Sequence, residues 1–154
     1  MTKPALSNLS IRRANPADRA VLHHLLVRSW LTSWAPHLPA ASVRRFHETD
    51  PTSAWLNTDL EQIDVAVLDG KIVAAMQVNG CVLEDIHVDP DFKRRGIGGT
   101  LLRRAEEVGA RRLLVRAFNQ PAMAFYEAHG WVNRRRFTAT EMGTPVETVE
   151  YVKP

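Results

Sequence analysis

Residues 82–102 constrain this chain more than any other stretch: Val-Leu-Glu-Asp-Ile-His-Val-Asp-Pro-Asp-Phe-Lys-Arg-Arg-Gly-Ile-Gly-Gly-Thr-Leu-Leu. An apolar-rich run is stopped by Asp89-Pro90-Asp91, passes the bases Lys93, Arg94 and Arg95, and enters a helix through Gly96, Gly98 and Gly99. A strand, a basic loop and a helix N-terminus therefore follow one another directly. Such a helix start carries unpartnered N–H groups and the positive end of the peptide dipoles, so it favours an anion, and a phosphate fits. The glycines let the backbone approach a ligand, and the bases add charge-assisted donors. Further on, Leu101, Leu102, Ala105 and Val108 recur at helical spacing opposite Arg103, Arg104, Glu106 and Glu107, which predicts an amphipathic helix docked by one side.

Two phosphate-binding loops are excluded by their own requirements. A nucleoside-triphosphate loop needs a lysine followed by Ser or Thr after its last glycine, and Gly98-Gly99-Thr100 has none. A dinucleotide fingerprint needs a third glycine at position 101, where the chain has leucine. What remains, Arg94-Arg95-Gly96-Ile97-Gly98-Gly99 after a strand ending Ile86-His87-Val88-Asp89-Pro90, resembles the Arg/Gln-x-x-Gly-x-Gly/Ala loop of the GNAT superfamily of N-acetyltransferases. Downstream, residues 119–131 (Asn-Gln-Pro-Ala-Met-Ala-Phe-Tyr-Glu-Ala-His-Gly-Trp) resemble that family's Asn-x-x-Ala-x-x-x-Tyr-x-x-x-Gly-Phe segment, with Trp131 in place of the final Phe. The two motifs stand in the family's order and spacing.

The resemblance implies an α+β fold, with a mixed, mostly antiparallel central sheet of about seven strands and helices on both faces. It implies acetyl-CoA as cosubstrate, with Arg94, Arg95, Gly96, Ile97, Gly98, Gly99 and Thr100 around its pyrophosphate. Main-chain groups of Ile86, His87 and Val88 would bond pantetheine and thioester oxygens where their strand splays from a parallel neighbour. Asn119 would contact the pantetheine arm while also capping the next helix. Tyr126 would sit beside the coenzyme sulfur as an acid, unless it is a core tyrosine. Phe125 is counted with the coenzyme-binding residues, its ring turned the other way toward the core.

Deprotonating the acceptor amine needs a base, because an alkyl ammonium titrates near ~10.4. The positions where the family often carries a glutamate are Val82 and Leu114 here, and neither takes a proton. Glu84 shares Val82's face by strand alternation and lies nearer the acetyl group, whereas Asp85 and His87 point oppositely unless a bulge intervenes. Glu84 is the expected base, with a water chain to bulk solvent as its equal. Trp30, Trp34 and Trp55 belong to the N-terminal helical region, which covers the acceptor side in this family. Ser29-Trp30 and Ser33-Trp34 would line an acceptor pocket, and core packing accounts for these tryptophans as well.

Periodicity and breakers divide the whole chain in a compatible way. Strands are predicted over residues 9–14, 63–68, 71–78, 81–88, 113–118, 132–141 and 146–152, the fourth and fifth parallel through a right-handed crossover. Helices are predicted from Pro16, capped by Asn15, to residue 33, then over 41–47, 51–56, 96–108 and 120–129. Met142-Gly143-Thr144-Pro145 reads as the loop between the last two strands. At 154 residues, 45% hydrophobic and 24% charged, the chain reads as one domain over residues 1–154.

A net charge of +3 is mild, and the clustered bases at 93–95, 103–104, 111–112 and 134–136 suit a phosphorylated cofactor as well as an anionic polymer. Nucleic acid is not the expected partner; a small-molecule or peptide amine is, and a homodimer through the last strands is common in the resembling family. Cys81 is the only cysteine, so no internal disulfide forms, and a small buried hydrophobe beside Gly80 is expected. The six histidines show no metal-binding spacing, and no metal is expected. The N-terminal residues, with Lys3 and Pro4, lack an apolar core of signal-peptide length, and no run reaches the ~20 apolar residues of a membrane span, so a cytoplasmic location is expected. The alternative function is an acyl-CoA-binding sensor or scaffold without catalysis, which the aliphatic Val82 and Leu114 would suit.

Overall fold

A computed structural model describes residue 6 and residues 8–154. In chain order the elements are β1 (Leu9–Arg13), α1 (Arg19–Ser33), α2 (Ala40–Thr49), α3 (Pro51–Asp59), β2 (Ile63–Leu68), β3 (Lys71–Asn79) and β4 (Val82–Val88). There follow α4 (Ile97–Glu107), β5 (Arg112–Arg116), α5 (Gln120–Ala128), β6 (Val132–Glu141) and β7 (Thr144–Val152). The seven strands form one sheet in the order β1-β2-β3-β4-β5-β7-β6, antiparallel throughout except for β4 and β5. The mixed, mostly antiparallel α+β architecture is the one the sequence implied.

Local chemistry starts the elements. Asn15 caps a 3-10 turn, Pro16–Asp18, that leads into α1; its side chain accepts from Ala17 N–H, and Asp18 reaches back to Asn15 N–H at 2.9 Å. Asp50 adopts a left-handed conformation (φ 43°), which ends α2, and its carboxylate accepts from Ser53 N–H to start α3. Between β6 and β7 the turn is shorter than expected: only Met142 (φ 47°) and Gly143 (φ 84°) are unpaired, and both are left-handed, as a tight two-residue hairpin demands. Pro145 therefore lies inside β7. It sits beyond Thr148, the last residue of β7 that pairs with β5, on a stretch with a neighbour on one side only, where a missing N–H is tolerated.

The sheet buries both faces. On one, Leu22, Leu25 and Leu26 of α1 and Leu56 of α3 cover Ile63, Val65, Ile72 and Ala75. On the other, Ile97, Leu101, Leu102 and Ala105 of α4 join Tyr126 of α5 over Ala66, Ala74, Met76 and Leu83. Burying side chains of this size stabilises by ~1.5–3 kcal/mol each, which fixes α4 by its apolar stripe and leaves Arg103 and Arg104 in solvent. Cys81 departs from expectation: it is exposed, at the Gly80-Cys81 turn before β4.

β4 and β5 meet only at Val82 opposite Arg112, with Cys81 O accepting from Arg111 N–H and Arg112 N–H at 2.7 and 3.1 Å. From there the two strands diverge, and the sheet opens beside α4.

Candidate active site

The rim of that opening is main chain. Asp89 N–H donates to Val73 O at 2.8 Å, and alternation along an antiparallel ladder then turns the His87 amide toward β3 and the Ile86 and Val88 amides toward the open side. Of the three main-chain contacts expected, two are free to bind and His87's is taken by the sheet. The side chains of Ile86 and Val88 pack on the α4 face of the core.

The basic loop lies at the start of α4. Arg94 (φ 65°) and Gly96 (φ 84°) are left-handed, a conformation that suits glycine and strains arginine. The turn they make leaves the N–H groups of Ile97, Gly98 and Gly99 without acceptors in their helix, while Thr100 N–H and its hydroxyl both bond Gly96 O. Ile97 itself is buried in the core, so it can offer a ligand only its amide. Arg94, Arg95 and Gly96 are exposed, and Arg95 lies over the Phe92 ring at 4.8 Å. Nη1 of Arg28 on α1 donates to both oxygens of the buried Asp89 carboxylate at 3.1 Å, and Asp89 accepts from Asp91 N–H, which pins the loop to the first helix. A Cβ on Gly98 would lie 3.5 Å from the Phe125 ring and 3.8 Å from Val88, in ordinary contact with both, so the first turn of α4 faces Phe125 of α5 with room for a methyl group and little more.

On α5, Asn119 caps the helix by accepting from Ala122 N–H at 3.3 Å. Phe125 is half-buried against the first turn of α4, and Tyr126 is the more deeply buried of the two, with its ring set against Phe125, Trp131 and Tyr151. Among the described residues the Tyr126 hydroxyl has no hydrogen-bond partner. Burial pushes its phenol well above the ordinary range, and the charge of Asp85 adds to this.

Opposite, on the α1 side of the sheet, a cleft of about 170 Å³ is lined chiefly by Trp30, Trp34, Phe46, Trp55, Asp85 and His87, with Glu141 at its edge. Trp30 is buried and stacks on Phe46 with ring centroids 3.8 Å apart, its indole N–H without a partner among the described residues. Trp55 donates to the buried Gln77 at 2.7 Å. A latch closes one end: the Ser42 hydroxyl of α2 bonds Met142 O and the Thr144 hydroxyl, tying the N-terminal helices to the β6–β7 turn. Glu141 is buried and ion-paired with Arg116 at 3.3 Å. A larger open concavity of about 620 Å³, by Pro16, Arg19, Leu56 and Glu61, holds none of the motif residues.

Glu84 departs from its expected position. Val78 of β3 pairs with Leu83 and Gln77 with Asp85, so Glu84 is the extra residue of a β-bulge; it is exposed and does not line the cleft. The bulge resets the alternation, which puts Leu83, Ile86 and Val88 on the α4 face and turns Asp85 and His87 toward the tryptophans. Strand alternation alone sets Asp85 and His87 opposite Glu84, and the bulge that decides which face meets the cleft is set by the count of residues on the partner strand. The available signal was their i, i+2 spacing, which gives them one common face. Among the described residues no three His, Cys, Asp or Glu side chains gather as a metal site, and no helix is long and apolar enough to cross a membrane.

The sequence matches the acetyltransferase (GNAT) family over residues 20–131. No curated protein matches it. In fold it is similar to apo YjaB from Escherichia coli, with 23% identity, TM-score 0.80, and 94% of this chain and 96% of that one covered. A GCN5-related N-acetyltransferase from Rhodopseudomonas palustris is similar at 23% identity and TM-score 0.80, covering 97% and 98%. The PaiA N-acetyltransferase from Thermoplasma acidophilum, solved in complex with coenzyme A, is similar at 18% identity and TM-score 0.66, covering 91% and 97%.

Proposed function

Because this chain belongs to the acetyltransferase (GNAT) family and is an acyltransferase, we propose that it moves an acetyl group from acetyl-CoA to a small primary amine, directly, in a ternary complex. The observation that carries this reading is the continuity of free amides. Those of Ile97, Gly98 and Gly99 start a track at the helix end, and those of Ile86 and Val88 continue it along the open edge of β4. The first group, with Arg94 and Arg95, suits a diphosphate. The second suits the amide oxygens of the pantetheine arm and then the thioester oxygen, as oxyanion-type stabilisation by backbone alone.

Tyr126 acts on the leaving sulfur as a hydrogen-bond donor more than as a proton source. A thiol titrates near ~8.5 and a phenol near ~10, and burial raises this phenol further. Outright transfer from Tyr126 to a thiolate is therefore uphill, while donation to the developing negative charge is favourable. Asn119, beyond its cap, offers its amide N–H₂ to the pantetheine arm.

The acceptor enters from the aromatic cleft. Its size is near that of an apolar cavity of ~150 Å³ that takes a benzene ring, so one ring or a short carbon chain fits. Trp30 and Trp34 flank that skeleton, and Asp85 attracts the ammonium. Thiol release by the purified enzyme with acetyl-CoA and a panel of amines tests the function. Turnover with arylalkyl or short alkyl amines is expected; coenzyme binding with no thiol release from any amine would favour the sensor instead.

A further inference from the structure

Resting on the acetyl-transfer function proposed for this site, we infer that Ser29, His87 and Asp85 form the relay that removes the acceptor's proton, with His87 Nε2 as the accepting atom and Ser29 as a positioning residue. The bulge at Glu84 turns both β4 side chains into the acceptor cleft. There the Ser29 hydroxyl of α1 lies 2.9 Å from His87 Nδ1, and His87 Nε2 lies 3.5 Å from an Asp85 carboxylate oxygen. Ser29 is buried at 7% exposure, so its contact with the imidazole is held by packing. With the ring proton on Nδ1, donated to Ser29 Oγ, the Nε2 lone pair is left for the substrate.

Two carboxylates share the cleft with His87. Asp85 faces it along β4, and Glu141 comes from β6 across the cleft with one oxygen engaged by Arg116. Arg28 of α1 is nearby in sequence to Ser29, but its guanidinium is taken by Asp89 and Asp91. Tyr126, on the other face, is neutral. The His87 side chain is 14% exposed and that of Asp85 40%, so Asp85 joins the imidazole to solvent.

The protons balance along this route. The acceptor arrives as an ammonium against Asp85, and one N–H bond breaks as the Nε2–H bond forms, leaving the electron pair on nitrogen. That pair attacks the thioester carbon, and the C–S bond then breaks with its electrons on sulfur, beside the Tyr126 hydroxyl. A second proton leaves the nitrogen for the sulfur, giving amide and free thiol, and the imidazolium passes its proton to bulk water past Asp85.

The test is the pH dependence of kcat/KM in wild type, His87→Gln, Ser29→Ala, Asp85→Asn and Glu84→Gln, read by free-thiol detection, with acetyl-CoA Kd measured by calorimetry. General-base catalysis contributes ~10²–10⁴-fold, so His87→Gln is expected to lose at least about 100-fold in kcat and to lose the acid limb of the profile, with Kd unchanged. Ser29→Ala is expected to shift that limb while lowering kcat roughly tenfold, an effect that packing alone would not have on a pH profile. Glu84→Gln is expected to behave as wild type. An intact acid limb in His87→Gln, or collapse of activity in Glu84→Gln, overturns the relay and leaves acetyl transfer standing; no thiol release by wild type with any amine overturns the transfer itself. Independently of any variant, ¹⁵N shifts of His87 in the intact protein are expected to show the Nδ1–H tautomer, and the Nε2–H tautomer would overturn the assignment.

Discussion

Replacing Tyr126 by phenylalanine separates chemistry from packing in one step. The ring is held by Phe125 at 5.1 Å and Trp131 at 6.1 Å between centroids, contacts that phenylalanine keeps. Because the hydroxyl has no partner among the described residues, its removal leaves no donor or acceptor stranded. Stability should therefore stay within ~0.5 kcal/mol of wild type, the range of substitutions that break no buried interaction. In turnover the loss is one hydrogen bond to a developing charge, worth ~1.5–3 kcal/mol. At ~1.36 kcal/mol per factor of ten, kcat should fall by about 10- to 150-fold. Thiol release under saturating acetyl-CoA, calorimetric Kd and thermal unfolding are the three readings, and the expected pattern is a fall in the first with the others steady. Unchanged kcat refutes the role of the hydroxyl; a loss confined to Kd would make Tyr126 a binding residue only.

Gly98→Val places branched carbons where the Cβ alone already lies 3.5 Å from Phe125, so acetyl-CoA Kd should rise by tenfold or more, on the order of one lost amide contact; calorimetry showing wild-type affinity would remove this turn from the coenzyme site. Trp34→Ala should raise KM for the amine several-fold and leave coenzyme Kd alone, since Trp34 lines the acceptor cleft only. Asp50→Asn tests a pH-linked contribution to stability. Hydrogen bonds from the Ser53 hydroxyl and then His23 lower the Asp50 carboxyl to about 2. A depressed folded-state pKa gives stability that is present above the unfolded value near ~3.8 and lost as pH falls through about 2. The side chain is 44% exposed, so solvent screening reduces the effect to about 1 kcal/mol. Asparagine suits both the left-handed backbone and the cap, so the Tm gap between wild type and variant should be widest near neutral pH and close between pH ~4 and ~2. A gap independent of pH would contradict the linkage.

What the sequence disclosed were features encoded by neighbours in the chain. The strand–loop–helix at residues 82–102, the Asn15 cap and the Asn119 to Trp131 segment are all set by residues close to one another in the chain, and each lies where it was expected. What stayed hidden depends on partners remote in sequence. The bulge that exposes Glu84 exists because β3 offers one residue where β4 supplies two, and Leu83-Glu84-Asp85 carries no mark of it. The His87 amide is spent on β3 for the same reason, and the parting of β4 from β5 beyond Val82 is a matter of pairing between strands far apart in sequence. From the sequence Ser29 is a residue of an acceptor pocket; only the tertiary fold brings it to an imidazole 58 residues away. Pro145, expected in the loop with Met142, Gly143 and Thr144, lies in β7 because proline is tolerated where β5 no longer runs alongside.

A crystal structure with bound acetyl-CoA tests the central claim most directly. The account predicts the diphosphate against the amides of Ile97, Gly98 and Gly99, the arm running along the open edge of β4, and the sulfur within hydrogen-bonding distance of the Tyr126 hydroxyl. A coenzyme seated elsewhere, or an arm that leaves the gap between β4 and β5 empty, would contradict it.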